Sequence, residues 1–381
     1  MIKGQVISGE VGKICVRQKS GAEIEIGELL IAKNNNQQNT ILLQVYDLGY
    51  GSQISQQNLE LMSGLQLEDN TETQIIDEKL KHYKLAFLKN IITIKNNRPA
   101  LSKNLPDFFA QVHEVTEQDV QFITKPQNPL YFGKLRSGSK QLSVPIFLDG
   151  EKVFSHHILI PATTGRGKSN LTSCLLWDSV DKPYCGILVL DPHDEYYGRF
   201  NVGLKDHPQN KETKKVAYYT PKEVPAGEHT LKINLEQIKP FHFNGAIDWS
   251  GPQKEALNAY WKKYNKAWIE AIILEKPLDG RFHEGTLGVL RRRMLYLLDL
   301  DFHDNQLFEK GIFSLNAGQT TIADIINQLE KSNTVIIDTS HFSGAVEILI
   351  GSIITTEILS KYKYYKVQGQ LKDKPVISII L

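Results

Sequence analysis

The sequence predicts an α/β protein: a parallel sheet wound with helices, preceded by a small β-barrel and carrying a helical insertion. Three observations lead there. Residues 1 to about 70 alternate with period two between glycine breaks, and from about residue 136 short apolar runs alternate with helical spacing. One of those runs ends in a glycine-rich turn that opens a helix, "ILIPATTGRGKSNL", residues 158–171.

Composition bounds the answer without deciding it. A chain of 381 residues suggests two or three domains with ample apolar material for a core. Its 44 basic and 43 acidic residues leave a net charge of +1, which gives no basic signature of a nucleic-acid binder. A ring gripping DNA through a narrow basic channel would look equally neutral. Cys15, Cys174 and Cys185 form no CxxC pair, which argues against a disulfide framework or a zinc site and for a reducing, cytoplasmic setting. Met1 to Gly4 lead straight into strand-like alternation, so no secretory leader is expected. The most apolar segment, 345–359, contains Glu347 and Glu357, so no membrane span is expected either.

Taken in order, "QVISGEVGKICVRQ", "AEIEIGELLIAK" and "TILLQVYDLGYG" read as strands, with the polar tract 34–39 as a hairpin loop between the last two. These form the expected barrel, residues 1–70. Residues 72–93 read as a helix on the apolar positions Ile75, Ile76, Leu80, Tyr83, Leu85 and Leu88, within a connector, 71–135, punctuated by Pro99, Pro106, Pro126 and Pro129. Residues 136–381 form the α/β core, with a helical insertion at about 240–330. No internal repeat is visible.

The glycine turn fits the phosphate-loop pattern of a glycine, four residues, then Gly-Lys-Ser/Thr, except that Ala162 takes the first glycine's place. Backbone N–H groups from Thr164 to Ser169 still form an anion nest, and the following helix adds its N-terminal partial charge. Lys168 would reach the β- and γ-phosphates and the Ser169 hydroxyl would hold Mg²⁺. "HHILI" before the turn reads as a strand, and "SNLTSCLLWDSV" after it has helical spacing with Leu171, Leu175, Leu176 and Val180 inward. The next strand, "GILVL", is of the doubly buried parallel kind and ends in "DPHDEYY". Ligands of open α/β sheets bind at the strands' C-terminal ends, so Asp191 faces the phosphates or else forms a turn or helix cap.

"ILIPATTGRGKSN" followed by "ILVLDPHDEYY" resembles the HerA family of hexameric DNA-translocating ATPases. Its usual forms are a GxTGSGKSN loop and an aspartate–proline–histidine–glycine–glutamate–tyrosine segment. Residues 165–170 match except Arg166; Asp191, Pro192, His193, Glu195 and Tyr196 match the second motif, with Asp194 in place of glycine. "LSVPIFLDGEKVFSHHILI" supplies the family's apolar segment, Val144 to Asp149, and a histidine, His157, before the loop. Residues 252–300 stand for its helical insertion, and "NTVIIDTSHFSGAVEILIGSIITTEILSKY" for its strand, turn and long helix.

The resemblance implies a RecA-like P-loop ATPase core with an N-terminal small β-barrel of the HAS-barrel type. It implies ATP and Mg²⁺ as cofactors. Thr163, Thr164, Gly165, Arg166, Gly167, Lys168, Ser169 and Asn170 would bind the nucleotide, Ser169 and Asp191 the metal, and Lys168, Asp191 and Glu195 would serve catalysis. It further implies a homo-hexamer on duplex DNA, with a NurA-like nuclease or an antiviral effector protein as partner. In the family a paired acidic motif follows the strand corresponding to "KPVISIIL", and an arginine finger comes later. Residues 1–381 are therefore expected to be a truncated form with little ATPase activity. Other readings are an ATP-binding scaffold for a partner effector, an FtsK-like or conjugation-type translocation ATPase, and a small-molecule kinase.

Remaining features divide between two readings each. Arg291-Arg292-Arg293 is either the solvated face of a helix or a phosphate contact, and the cluster Trp249, Tyr260, Trp261 and Trp268 either packs the insertion or stacks on bases. Adjacent His156 and His157 on a strand would face opposite ways and share no metal, and His242, alone between two phenylalanines, reads as structural.

Overall fold

The computed structural model describes residues 1–33, 39–69, 81–279, 282–304 and 306–381. These form two compact units, one of residues 1–126 with 131–148, the other of 127–130 with 149–381.

The first unit is the barrel. Its strands are β1 (Ile2–Glu10), β2 (Lys13–Gln18), β3 (Leu29–Lys33), β4 (Asn39–Ser52), β5 (His82–Lys95), β6 (Arg98–Leu101) and β7 (Gln111–Glu114), with helix α1 (Gln56–Asp69) after β4. Six strands pair antiparallel in the order β2-β1-β7-β3-β4-β5, and β2 closes on β5 with Ile14 opposite Leu88; β6 extends β5 as an arm. Closure removes the sheet's edges. Val6, Val16, Leu30, Leu43, Val45, Ala86, Leu88 and Val112 fill the interior. Strand β3 is apolar without alternation because both of its faces are covered: Leu30 and Ala32 point inward, while Leu29 and Ile31 pack with Val115, Val120 and Leu142. A hairpin, β8 (Pro129–Ser137) with β9 (Lys140–Asp149), follows.

Two expectations change here. The barrel sheet does not stop at residue 70 but continues to Glu114, so β5, β6 and β7 occupy much of the expected connector. The helix expected over 72–93 is strand β5 from His82 onward; residues 72–80 lie outside the described residues. Leu85 and Leu88 mimic helical spacing, yet the residues turned inward are Ala86 and Leu88, a period of two. Pairing with β4 and β2, and the β-branched run "IITI", decide the matter. The strands flanking the polar tract do pair antiparallel, Lys33 opposite Thr40, while 34–38 lie outside the described residues.

The second unit is built on a parallel sheet in the order β12-β11-β17-β10-β18. These are β10 (Cys185–Asp191), β11 (Val216–Thr220), β12 (His229–Thr230), β17 (Thr334–Asp338) and β18 (Val376–Ile380). Helices α2 (Gly150–Phe154) and α3 (Lys168–Ser179) precede β10, and α4 (Pro208–Thr213) precedes β11. The three central strands are buried on both faces, which is why their sequences are almost unbroken apolar runs. Ile187, Val189, Tyr218 and Ile336 pack on one face with Leu176 of α3. Leu188, Tyr219, Val335 and Ile337 pack on the other with α8 (Thr321–Glu330) and α9 (Gly344–Val367).

Between β12 and α8 lie the two-residue strands β13 (Ile233–Asn234) and β16 (Phe313–Ser314), the hairpin β14 (Leu300–His303) with β15 (Gln306–Glu309), and three helices. These helices, α5 (Gly251–Tyr264), α6 (Trp268–Ile273) and α7 (Glu284–Leu297), are the helical insertion. Trp249, Tyr260 and Trp268 are buried in its core, which is continuous with the second face of the sheet, and the Trp268 indole N–H donates to the Ile238 carbonyl at 2.9 Å. Those three aromatics pack the insertion, and Trp261, the fourth of the cluster, is partly buried edge-to-face against Trp268 with centroids 6.2 Å apart. The expected strand "HHILI" does not form: residues 157–160 are irregular, with Ile158 53% and Leu159 86% exposed. A strand needs a ladder partner, and among the described residues this segment has none.

His242 is fully buried against Phe241, its Nδ1 accepting the Lys239 N–H at 3.1 Å while Nε2 has no partner. Burial, and then the Lys239 charge, push its pKa down to about 4, with Glu357 opposing. The folded form therefore keeps His242 neutral, whereas the unfolded chain takes up a proton below about pH 6.5. Stability from this group is complete above that pH and is lost as pH falls toward about 4, by on the order of 3 kcal/mol. Urea titrations of wild type and His242→Gln between pH 7 and 4 should converge accordingly; parallel profiles would refute the assignment.

Candidate nucleotide site

The site grows from the C-terminal edge of the parallel sheet. Asp191 ends β10 and Asp338 ends β17; the two are register partners, and the Thr339 N–H donates to the Asp191 carbonyl at 3.1 Å. Beside them the glycine turn enters α3. Gly165 (φ 79°) and Gly167 (φ 87°) adopt the left-handed conformation, and a Cβ at either would meet nothing within 4 Å, so glycine is needed there for backbone shape rather than for space. Gly167 is the N-cap of α3. The first-turn amides of this 12-residue helix have no intrahelical partner and open toward the exposed loop. The Lys168 ammonium folds back and donates to the Ala162 carbonyl at 3.0 Å. Ala162 thus serves the loop through its backbone, and the missing first glycine removes no ligand. Ser169 is half-buried; burial and then the Glu195 charge raise the Tyr196 pKa, while the neighbouring Thr172 and Ser169 side chains oppose the rise.

The turn after β10 is organised by its own first residue. Asp191 is fully buried; Oδ1 accepts the His193 N–H at 3.3 Å and Oδ2 the Tyr196 N–H at 3.0 Å, with Glu195 adding a third backbone donor. Burial raises its pKa, and the three amides oppose that rise. Both of its oxygens are engaged with this turn, so its direct work is to shape residues 191–196. Glu195 is exposed at the surface of the turn, whereas Asp194 is held at φ 51° and Tyr196 reaches α3.

Sequence reasoning missed the network beneath. Asp338 is fully buried and accepts at Oδ2 from the Thr220 hydroxyl (2.7 Å), with the Tyr218 hydroxyl 3.2 Å away, and at Oδ1 from the Ser340 N–H (3.0 Å) and hydroxyl (2.6 Å). The signal was present: "TVIID" is a second apolar strand that ends, like "GILVLD", in aspartate.

Other candidates fall outside the site. Arg291 pairs with Glu275 at 2.9 Å and lies over Phe302, and Arg293 donates to the Asp248 carbonyl at 3.0 Å; only Arg292 of the triplet is left without such a role. His156 hydrogen-bonds the Lys152 carbonyl through Nδ1. Among the described residues no group of three His, Cys, Asp or Glu is placed to hold a metal. Mg²⁺ in phosphate-loop sites takes one or two protein oxygens and completes its shell with phosphates and water. The Ser169 hydroxyl, at the start of α3, is an oxygen donor of that kind.

A glycine turn capping a helix at the C-terminal edge of a doubly covered parallel sheet defines a phosphate-loop nucleotide-binding domain. The chain belongs to the HerA family: residues 130–358, more than half of it, match the family model Helicase HerA, central domain. It is therefore a phosphate-loop ATPase of the HerA/FtsK type, a class that works on ATP. Comparison with curated proteins gave no match. Among the described residues no helix is long and apolar enough to cross a membrane.

Replacing Asp338 by alanine should leave the half-buried Ser340 hydroxyl without its acceptor and the buried Thr220 hydroxyl with only the Lys222 carbonyl, at 3.1 Å, and cost about 1–3 kcal/mol of stability. Urea unfolding measures this; a loss below about 0.5 kcal/mol would mean the network is surface-like in energy.

Proposed function

We propose that the chain binds ATP with Mg²⁺ at the turn 163–170 and, as a homo-hexameric ring, couples hydrolysis to movement along duplex DNA. A nuclease of the NurA type or an antiviral effector protein would act beside it in the cytoplasm. The observation that carries the nucleotide reading is the pair of left-handed glycines at the N-terminus of α3, with Lys168 poised over the same loop. The family match supports the ATPase class, and the ring, the DNA and the partner follow from the family resemblance.

In this reading Lys168 leaves the Ala162 carbonyl for the phosphates, a stronger, charge-assisted acceptor. The first-turn amides of α3 receive phosphate oxygens. The Ser169 hydroxyl serves as metal ligand, with Asp191 acting through the turn it shapes or through a metal-bound water. Mg²⁺, when bound, neutralises charge on the phosphates. Glu195, exposed on the turn, orients groups around the reacting phosphate.

Lys168→Ala should weaken ATP binding about 10- to 100-fold, the loss of one charged ligand. Equal affinities for mutant and wild type in calorimetry would end the phosphate-loop assignment. Asp191→Asn offers one acceptor oxygen where two now accept, so it should lower turnover by about tenfold, in the range of one unsatisfied buried group, and leave ATP affinity nearly intact. An unchanged turnover number in the natural protein would reduce Asp191 to a turn-former. Hydrolysis stimulated by duplex DNA supports translocation, whereas tight ATP binding with no DNA-stimulated turnover points to a scaffold.

A further inference from the structure

Glu195 stands in a turn whose neighbours on both sides are fixed by side chains. Tyr196 is held through its amide by Asp191, and its side chain lies beside Thr172 and Ser169 of α3. Asp194 is held differently. Its φ of 51° is a conformation that a residue with a Cβ adopts at a cost, so its surroundings must hold it there. Its carboxylate accepts the Tyr218 hydroxyl at 2.7 Å and lies 3.8 Å from the Arg199 guanidinium. Arg199 in turn donates to the Lys222 carbonyl at 2.7 Å and to the Glu223 carbonyl, in the segment that follows β11.

Tyr218 itself cannot shift. Its ring is fully buried and stacked on Tyr197 with centroids 4.1 Å apart; Glu228 accepts the Tyr197 hydroxyl at 3.0 Å and the Tyr218 N–H at 2.9 Å. What can change is the direction of one proton. The Tyr218 hydroxyl carries a single hydrogen, and it lies 2.7 Å from Asp194 Oδ1 and 3.2 Å from Asp338 Oδ2. It serves one carboxylate at a time, and the shorter distance assigns it to Asp194. Asp338 keeps Thr220 and Ser340 as donors in either case.

We propose that Tyr218 and Asp194 form a tether between the ends of β11 and β17 and the turn that carries Glu195, which makes Asp194 a positioning residue for the reaction at the neighbouring glutamate. This rests on reading the chain as an ATPase. With the Tyr218 proton on Asp194, the turn is fixed on both sides of Glu195. With the proton turned to Asp338, Asp194 loses its closest donor and the turn relaxes from its left-handed residue. Any movement at the ends of β11 or β17 is thereby felt at Glu195.

Two substitutions cut the tether without distorting the fold. Asp194→Gly removes the carboxylate while leaving a residue at ease with φ near 51°. Tyr218→Phe removes the hydroxyl and keeps the ring stack. Each should raise amide hydrogen exchange across residues 192–197 about tenfold, as expected for one charge-assisted hydrogen bond. In the natural protein each should lower kcat by about tenfold with KM for ATP within about twofold, the pattern of a misplaced group rather than a lost binding contact. The double variant should be no worse than either single one, because both break the same link. Asp194→Asn, which keeps an acceptor for the hydroxyl, should recover most of kcat. Exchange that stays at the wild-type level, exchange that rises with kcat unmoved, or losses that multiply in the double variant would each overturn the proposal. A wild-type protein that binds no ATP would instead overturn the nucleotide reading, and the exchange measurement would still decide whether the tether exists.

Discussion

Burial of the central parallel strands on both faces is the constraint from which the site follows. A strand covered on both sides has no room for a polar side chain until the sheet ends, so the first carboxylates of β10 and β17 both fall at the same C-terminal edge. At that edge they are still shielded from water, and a buried carboxylate must find donors. Asp191 takes them from the backbone of the turn that follows it; Asp338 takes them from hydroxyls on β11 and from Ser340. The same burial that stabilises the sheet thus dictates that the turns leaving it are organised by carboxylates, and those turns are the ones beside the phosphate loop.

What was legible in the sequence is what depends on local chemistry. The left-handed glycines at 165 and 167, the lysine and serine after them, and the aspartate that ends "GILVLD" are each set by a few neighbouring residues, and the motif could be read without knowing the fold. The parallel sheet was legible too, since unbroken apolar runs between helical segments fit little besides doubly covered strands. Of the barrel strands before residue 52, β1, β2 and β4 fall in segments that alternate, whereas the alternating residues 22–26 are irregular and β3 is the apolar run Leu29–Lys33. Strand β5 was not legible, because Leu85 to Leu88 are four apolar residues in a row, and only pairing with β4 and β2 turns Ala86 and Leu88 inward.

The network under the turn was illegible for a different reason. Tyr218, Thr220, Asp194 and Asp338 come from three separate segments of the chain and meet only because β11 and β17 are neighbours in the sheet. Nothing in "VAYYT" says that its first tyrosine faces an aspartate 120 residues later. Strand "HHILI" failed the opposite way: its local preference is clear, but strand structure is a property of pairs, and no partner lies beside it among the described residues.

The groups assigned to ATP already have internal partners. Lys168 is satisfied by the Ala162 carbonyl, so on the proposed reading binding exchanges an internal hydrogen bond for a phosphate contact rather than simply adding a new one. The net gain is therefore smaller than a count of contacts would give. The turn after β10 lies beside α3 at Tyr196, next to Thr172 and Ser169, and is joined to β11 through Asp194, which accepts the Tyr218 hydroxyl. On the proposed ATPase reading, the turn that carries Glu195 stands between α3, at Tyr196, and β11, at Tyr218.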